Sequence, residues 1–170
     1  KALPENSLYL ELIKMKIIDG KFLAKKLEKE LKEKLLKIKK PRNPAIISFC
    51  NIEDPASVKY TFMKLSKARQ IGIDFMVEEF SANTARSLLS DLVTQYAGDP
   101  NIDGIMVQLP LPPDLNIFKE DLLDLIPPEK DVDGLTEDSH FLSATVKRIL
   151  TILDEEIANW RKKIVAIVGS

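Results

Sequence analysis

The chain has 170 residues, 45% hydrophobic and 30% charged, with a formal net charge of −1. This length and mixture fit a globular protein with one sizeable core, and the near-zero charge excludes a general attraction to nucleic acids or membrane surfaces. Cys50 and His140 are the only cysteine and histidine, which excludes an internal disulfide and a His/Cys zinc site, predicts no metal, and fits a reducing cytoplasm.

The N-terminal third predicts one helix and one strand. Its first apolar stretch is interrupted by Glu11, Lys14 and Lys16, which does not fit a signal peptide. No apolar run in the chain approaches the roughly 20 residues that a membrane-spanning helix needs. Leucines at helical spacing predict a helix over residues 21–40, and a short apolar run predicts a buried strand over residues 45–50.

The next helix has clear boundaries. Asp54 is a typical N-cap, Pro55 suits the first helical position, and Gly72 marks the end, so a helix is predicted from Asp54 to about Ile71. Strands and helices then alternate along the chain. The predicted strands cover residues 73–80, 104–109 and 164–168, and the predicted helices cover residues 85–96, 116–126 and 143–160.

This alternation predicts an α/β fold with a mainly parallel sheet and helices on both of its faces, a three-layer arrangement. The last residues begin a second pattern, in which a β-branched strand ends at Gly169. A strand followed by a glycine turn is how a Rossmann-type dinucleotide-binding domain starts, so Gly169 and Ser170 are predicted to bind a cofactor.

Three polar side chains share one face of the second predicted helix. Ser57, Tyr60 and Lys64 stand at i, i+3 and i+7, which places a hydroxyl, a phenol and an amine together. An amine can transfer protons near neutral pH where its surroundings depress its pKa. Gln108 closes a predicted strand and Asp133 lies in a loop that leads to the same edge of the sheet, so the three segments are predicted to converge on one cleft.

The stretches DPASVKYTFMKLSKA, DGIMVQLPLPPD and PPEKDVDG occur in this order between Asp54 and Gly134. Together they resemble the bifunctional methylenetetrahydrofolate dehydrogenase/cyclohydrolase family, and the resemblance runs from about Ile17 to Ser170. It implies a homodimeric cytoplasmic enzyme of one-carbon metabolism that acts on tetrahydrofolate derivatives. The expected reactions are oxidation of 5,10-methylenetetrahydrofolate with NADP and hydrolysis of the methenyl product to 10-formyltetrahydrofolate.

The resemblance also implies roles for individual residues. Lys64 would handle protons and activate the attacking water, Tyr60 would stack on the folate and orient Lys64, and Gln108 would hold the amine by a hydrogen bond. Asp133 would bind the N–H groups of the pterin. The alternatives are a surface lysine, a core aromatic, a strand-end amide and a turn-forming aspartate.

Further residues have smaller predicted parts. Val107 and Leu109 would present backbone groups to the substrate, and Ser57 is either a first-turn hydroxyl or a ligand contact. Asp131 is predicted to be structural, and Glu129 and Lys130 to pair on the surface. Cys50 is predicted to be a core thiol.

The resemblance also divides the chain. It predicts an extension over residues 1–14 before a start at Met15, a folate-binding catalytic domain over residues 15–142, a connecting helix over residues 143–162 and a first cofactor-domain strand over residues 163–170. NAD stays open as the cofactor, because Ser170 stands where the family often has an arginine suited to a 2′-phosphate. Residues 1–170 alone are expected to lack NAD(P)-dependent oxidation.

Two other functions remain open. The chain could be a non-catalytic folate-binding module or a cyclohydrolase-only remnant. Tyr-x-x-x-Lys also occurs in short-chain dehydrogenases, but there the nucleotide-binding turn precedes the tyrosine. Here the candidate turn, at Gly169, follows it, which argues against that family.

Overall fold

The computed structural model describes residues 18–38 and 41–166. The chain divides into two compact units, residues 1–39 and residues 40–170. In the first unit, helix α1 spans Gly20–Lys37 and begins where the Asp19 carboxylate accepts the backbone N–H groups of Lys21 and Phe22. The predicted helix is thus confirmed up to Lys37. Its predicted continuation is wrong at Ile38, which is the extended C-cap residue, and residues 39–40 lie outside the described residues.

The second unit contains a parallel sheet with strand order β2-β1-β3. Ile46 of the central strand pairs with Phe75 on one side and with Gly104 on the other. The elements of this unit are β1 Ala45–Asn51, α2 Pro55–Ile71, β2 Asp74–Phe80, α3 Arg86–Gly98, β3 Gly104–Val107, α4 Pro113–Asn116, α5 Lys119–Leu123, α6 Ala144–Glu156 and a 3₁₀ turn Trp160–Lys162.

Two apolar clusters cover the opposite faces of the sheet, because successive side chains of a strand point to opposite sides. Phe49 and Ile105 lie in one cluster with Val93 of α3. Phe75 and Met106 lie in the other with Ala68 of α2. The predicted three-layer α/β arrangement, with helices on both faces of a parallel sheet, is therefore confirmed.

The boundaries predicted for α2 are also confirmed. Asp54 caps its first turn with two backbone hydrogen bonds, and Pro55 occupies the first helical position. Gly72 ends the helix in the left-handed conformation, with φ of 87°. These signals are local, since each depends on one or two neighbouring residues.

The single helix predicted over residues 116–126 is wrong. The chain forms two short helices, α4 and α5, which are separated at Phe118. The break brings the Phe118 ring to 3.6 Å from the Arg86 guanidinium, and Asp121 accepts a hydrogen bond from Arg86 at 2.7 Å. These contacts with α3 favour the broken path, and no local breaker marks it in the sequence.

The C-terminal region also differs from the prediction. Helix α6 ends at Glu156 rather than at Trp160, because Asp154 accepts hydrogen bonds from Trp160 and Arg161 and Asn159 adopts a positive φ of 55°. Residues 164–166 are not in a strand, and the remainder of the predicted last strand lies outside the described residues. Among the residues that the structure describes, no helix is long and apolar enough to cross a membrane.

Candidate active site

Lys64 is the centre of the candidate site. Its Nζ atom donates to Oε1 of Gln108 at 3.1 Å and to Oδ2 of Asp133 at 3.2 Å. The side chains of Lys64 and Asp133 are 34% and 19% exposed, so the ion pair is partly shielded but reachable from solvent. The predicted hydrogen bond between Lys64 and Gln108 is confirmed, whereas the ion pair with Asp133 was not predicted.

Helix α2 sets the position of Lys64. Its buried residues Ser57, Thr61 and Ala68 face the sheet, and Lys64 stands three residues after Thr61, at the edge of this stripe. Tyr60 precedes Thr61 and is 57% exposed, which excludes the alternative of a core aromatic. An amine and an exposed phenol therefore lie one helical turn apart at the border between core and solvent.

Ser57 lies in the cap of this helix. Its hydroxyl donates to Oδ2 of Asp54 at 2.6 Å, and its backbone N–H donates to the same carboxylate. These bonds, with that of the hydroxyl as the largest cause, hold the pKa of Asp54 below its usual range. Ser57 is 1% exposed, so the structure places it as a first-turn hydroxyl, and its ligand contact stays a prediction.

Gln108 follows directly after β3, which ends at Val107. The prediction that this strand continues to residue 109 is therefore wrong. Its backbone N–H donates to the Phe49 carbonyl at 2.9 Å, and its Nε2 donates to the Leu109 carbonyl at 3.2 Å. These two bonds turn Oε1 toward Lys64. Val107 is buried in the core, and the Leu109 carbonyl is engaged by Gln108, so their predicted substrate contacts stay predictions.

Asp133 is presented by a tightly bonded loop. The neighbouring Asp131 is 1% exposed and accepts hydrogen bonds from the backbone N–H groups of Gly134, Leu135 and Thr136 and from the Thr136 hydroxyl. The prediction that Asp131 is structural is thus confirmed. The predicted surface pair of Glu129 and Lys130 is wrong, because Lys130 donates instead to backbone carbonyls at the end of α3.

Two side-chain contacts of the site were missed by sequence reasoning. The residues of the Lys64–Asp133 pair are 69 positions apart, and Lys130 is 31 positions from the Asp99 carbonyl that it binds. The Asp-x-Asp-Gly pattern at residues 131–134 indicated a turn held by an aspartate, since such aspartates bond to the backbone that follows them, but it did not indicate either lysine contact. The partners of Lys64 and Lys130 depend on the tertiary fold.

A separate cavity lies in the described part of the second unit. It has a volume of about 580 Å³ and is lined by Ile126, Leu135 and several carboxylates, and none of the predicted site residues line it. Within residues 18–38 and 41–166, no three side chains of His, Cys, Asp or Glu are grouped to hold a metal ion. Cys50 is buried, as predicted, and Gly169 and Ser170 lie outside the described residues.

Comparison with known proteins places the chain in a family. Residues 18–133 match the family described as "Tetrahydrofolate dehydrogenase/cyclohydrolase, catalytic domain". The chain belongs to this family. The matched segment contains Lys64, Gln108 and Asp133, so the three groups that converge in the structure all lie within the family's catalytic domain.

Individual relatives agree with this assignment. The "Bifunctional protein FolD" of Helicobacter pylori strain J99 is 33% identical over 165 residues, covering 91% of this chain and 56% of its own length. The crystal structure of the bifunctional FolD dehydrogenase/cyclohydrolase of Campylobacter jejuni superposes with a TM-score of 0.74 at 31% identity, over 81% of this chain and 52% of that one.

A third relative is a structure from Trypanosoma brucei, which also gives a TM-score of 0.74, at 27% identity, and covers 82% of this chain and 51% of that one. That methylenetetrahydrofolate dehydrogenase-cyclohydrolase is complexed with NADP cofactor and an inhibitor. The present chain thus spans little more than half the length of the relatives that it matches.

Proposed function

We propose that this chain supplies the folate-binding and catalytic part of a methylenetetrahydrofolate dehydrogenase/cyclohydrolase. The observation that carries the proposal is the placement of the Lys64 amine, 3.1 Å from Gln108 and 3.2 Å from Asp133, on a helix that exposes Tyr60 one turn earlier. These four side chains come from three separate segments. Lys64, Gln108 and Asp133 are in direct contact, with Tyr60 one turn earlier on the same helix, and this convergence supports a site because an ordinary surface lysine would be hydrated instead.

For the hydrolysis, Lys64 would handle the protons. Water bonds to the methenyl carbon of 5,10-methenyltetrahydrofolate, and the bond from that carbon to N5 breaks. One proton of the water passes to N5 and the other leaves to solvent. Lys64 has three donor positions, and the structure gives two of them partners, Gln108 and Asp133. The third direction can serve the water, and such positioned proton transfer typically accelerates reactions roughly 10²–10⁴-fold.

Asp133 would bind the pterin. Its carboxylate suits the paired N–H groups of that ring, because a carboxylate accepts two parallel hydrogen bonds well. In the structure one of its oxygens accepts a hydrogen bond from Lys64. The incoming pterin would therefore share or replace this contact, so that substrate binding and the release of Lys64 toward the reacting carbon become one event.

The dehydrogenase activity rests on the relatives. NADP is proposed as the cofactor because the Trypanosoma brucei relative is complexed with it, and the bound nicotinamide would accept a hydride from the methylene carbon. The residues predicted to hold the cofactor, Gly169 and Ser170, lie outside the described residues. The homodimer and the cytoplasmic location are proposed on the same ground of family membership.

Two separate assays test the proposal. The purified chain should bind 5,10-methenyltetrahydrofolate and hydrolyse it faster than buffer does, with hydrolysis followed by loss of the methenyl chromophore. The full-length gene product should also reduce NADP, or NAD, when given 5,10-methylenetetrahydrofolate. If both proteins bind folate and neither hydrolyses it, the folate-binding module is favoured. If neither protein binds folate, the proposal is contradicted.

A further inference from the structure

We propose that Lys130 is a positioning residue, which fixes Asp133 in place by attaching its loop to the end of helix α3. The inference rests on the proposed function, since it concerns the residue proposed to bind the pterin. Lys130 Nζ donates to the backbone carbonyls of Asp99 at 2.7 Å, Ala97 at 2.8 Å and Tyr96 at 3.4 Å. All three donors of the ammonium group thus have an acceptor.

The acceptors suit a cation. The last carbonyls of a helix have no partner within the helix, and together they carry a partial negative charge. Ala97 lies in the last turn of α3 and Asp99 is its C-cap residue. The Lys130 ammonium therefore stabilises the end of this helix, while its side chain ties the Asp133 loop to that end.

The backbone of Lys130 is fixed as well. Its carbonyl accepts the Ile105 N–H of β3 at 2.7 Å, and its own N–H donates to the Pro127 carbonyl at 2.8 Å. Two residues later, Val132 fills the space beside Gly104, where an added Cβ would lie 2.6 Å from Cγ1 of Val132. Lys130 thus stands between α3 and β3, and the chain that follows it runs along the edge of β3, where Asp131 forms a parallel bridge with Ile105.

This arrangement gives the site two supports, although Val132 of the Asp133 loop also packs against the cluster that contains Ala68 of α2. Lys64 is carried by α2 on one face of the sheet, whereas Asp133 is held through Lys130 by α3, which covers the other face. Lys130 bonds to backbone carbonyls rather than to Lys64 or Gln108, so its effect on the site passes through the loop. Lys130 therefore helps to determine the position of Asp133 and does not itself contact the substrate.

The test is amide hydrogen exchange in the ligand-free chain, with Lys130→Met compared with the parent. The N–H groups of Gly134, Leu135 and Thr136, which Asp131 accepts, should exchange about tenfold faster, because bonds to a charged group have been lost. The N–H groups of the central strand β1 should keep their rates. Lys130→Arg, which keeps a cation and several donors, should restore much of the protection.

A matched control is Lys119→Met, because Lys119 pairs with Glu120 on the surface and should leave the exchange of the loop unchanged. Binding of 5,10-methenyltetrahydrofolate should weaken about tenfold in Lys130→Met and recover in Lys130→Arg. Unchanged exchange in the loop, or equal acceleration in the loop and in β1, would overturn the inference. The exchange measurement does not require folate. If the parent chain fails to bind folate, the proposed function is contradicted, but the exchange result still decides whether Lys130 fixes the loop.

Discussion

Lys64 and Asp133 meet in one ion pair but are held in place by different kinds of interaction. Helix α2 positions Lys64 by apolar contact, since Ala68 packs with Phe75 and Met106 on the sheet. The loop that carries Asp133 buries few apolar groups, chiefly Val132 and Leu135, which pack against the two core clusters. It is held in addition by hydrogen bonds, through the carboxylate of Asp131 and the ammonium of Lys130.

The difference has consequences for how each residue can move. Apolar packing is additive over many weak contacts, so a helix tolerates single changes on its exposed side. A polar loop depends on a few bonds, and each buried group left without its partner is costly. We therefore expect substitutions on the exposed side of α2 to affect chemistry alone, and substitutions in the loop to affect both stability and binding.

The largest expected effect is that of Lys64→Met. This change keeps the apolar stem of the side chain and removes the amine, so hydrolysis of 5,10-methenyltetrahydrofolate should fall by roughly 10²–10⁴-fold. The midpoint of urea unfolding should change little, because the amine is partly exposed. Lys59→Met, on the exposed side of the same helix, is the matched control and should retain the parent rate. A rate within tenfold of the parent would rule out Lys64 as the proton-handling group.

Sequence patterns predicted the helix that carries the site better than the loop that completes it. The cap of Asp54 and the stop at Gly72 are local signals, so α2 was placed at its observed ends. The hydrogen bond from Lys64 to Gln108 was expected from the family resemblance. The ion pair with Asp133 and the anchor at Lys130 were not, because they join residues that only the completed sheet brings together.

Two errors have the same origin. The break at Phe118 depends on Arg86, which lies on α3, and the early end of α6 depends on side chains that fold back onto Asp154. Neither break is marked by a glycine or proline at the point where it occurs. Helical periodicity alone therefore predicted one helix across the break at Phe118 and extended α6 too far.

The next largest effect concerns Gly134→Ala. Gly134 has a φ of 65°, and an added Cβ would lie 2.6 Å from the Phe141 carbonyl oxygen and the Ser143 nitrogen. The strained φ and the steric overlap together should lower the free energy of unfolding by about 2–5 kcal/mol. Gly72→Ala is the control, because Gly72 also has a positive φ, of 87°, but no atom within 4 Å of the added carbon.

Gly72→Ala should cost only the backbone term, about 1–2 kcal/mol. The difference between the two variants in urea unfolding measures how tightly residues 141–143 cover the Asp133 loop. Equal losses in both variants would mean that the loop can move away without cost, which contradicts the description of it as a fixed support.

Asp133→Ala should weaken folate binding by about 2–4 kcal/mol, since charge-assisted hydrogen bonds to the pterin are lost. Titration calorimetry with 5,10-methenyltetrahydrofolate measures the effect, and Asp114→Ala, at an exposed carboxylate of α4, is the control. Because Asp133 also contacts Lys64, the double variant with Lys64→Met should deviate from additivity. Unaltered affinity in Asp133→Ala would leave Asp133 as a turn-forming aspartate that pairs with Lys64.

The smallest effect has the opposite sign and tests the helix. The Thr61 hydroxyl is fully buried between α2 and the sheet, and it has no hydrogen-bond partner among the described residues. Thr61→Val replaces that hydroxyl by a methyl group of similar size, so the free energy of unfolding should rise by about 1 kcal/mol. Thr94→Val, at an exposed position of α3, should show no such gain.

If apolar packing alone holds α2 in place, Thr61→Val should also leave the rate of hydrolysis unchanged, because Lys64 one turn later would not move. A loss of stability would instead show that the hydroxyl contributes a polar contact, and that α2 depends on such contacts as the Asp133 loop does.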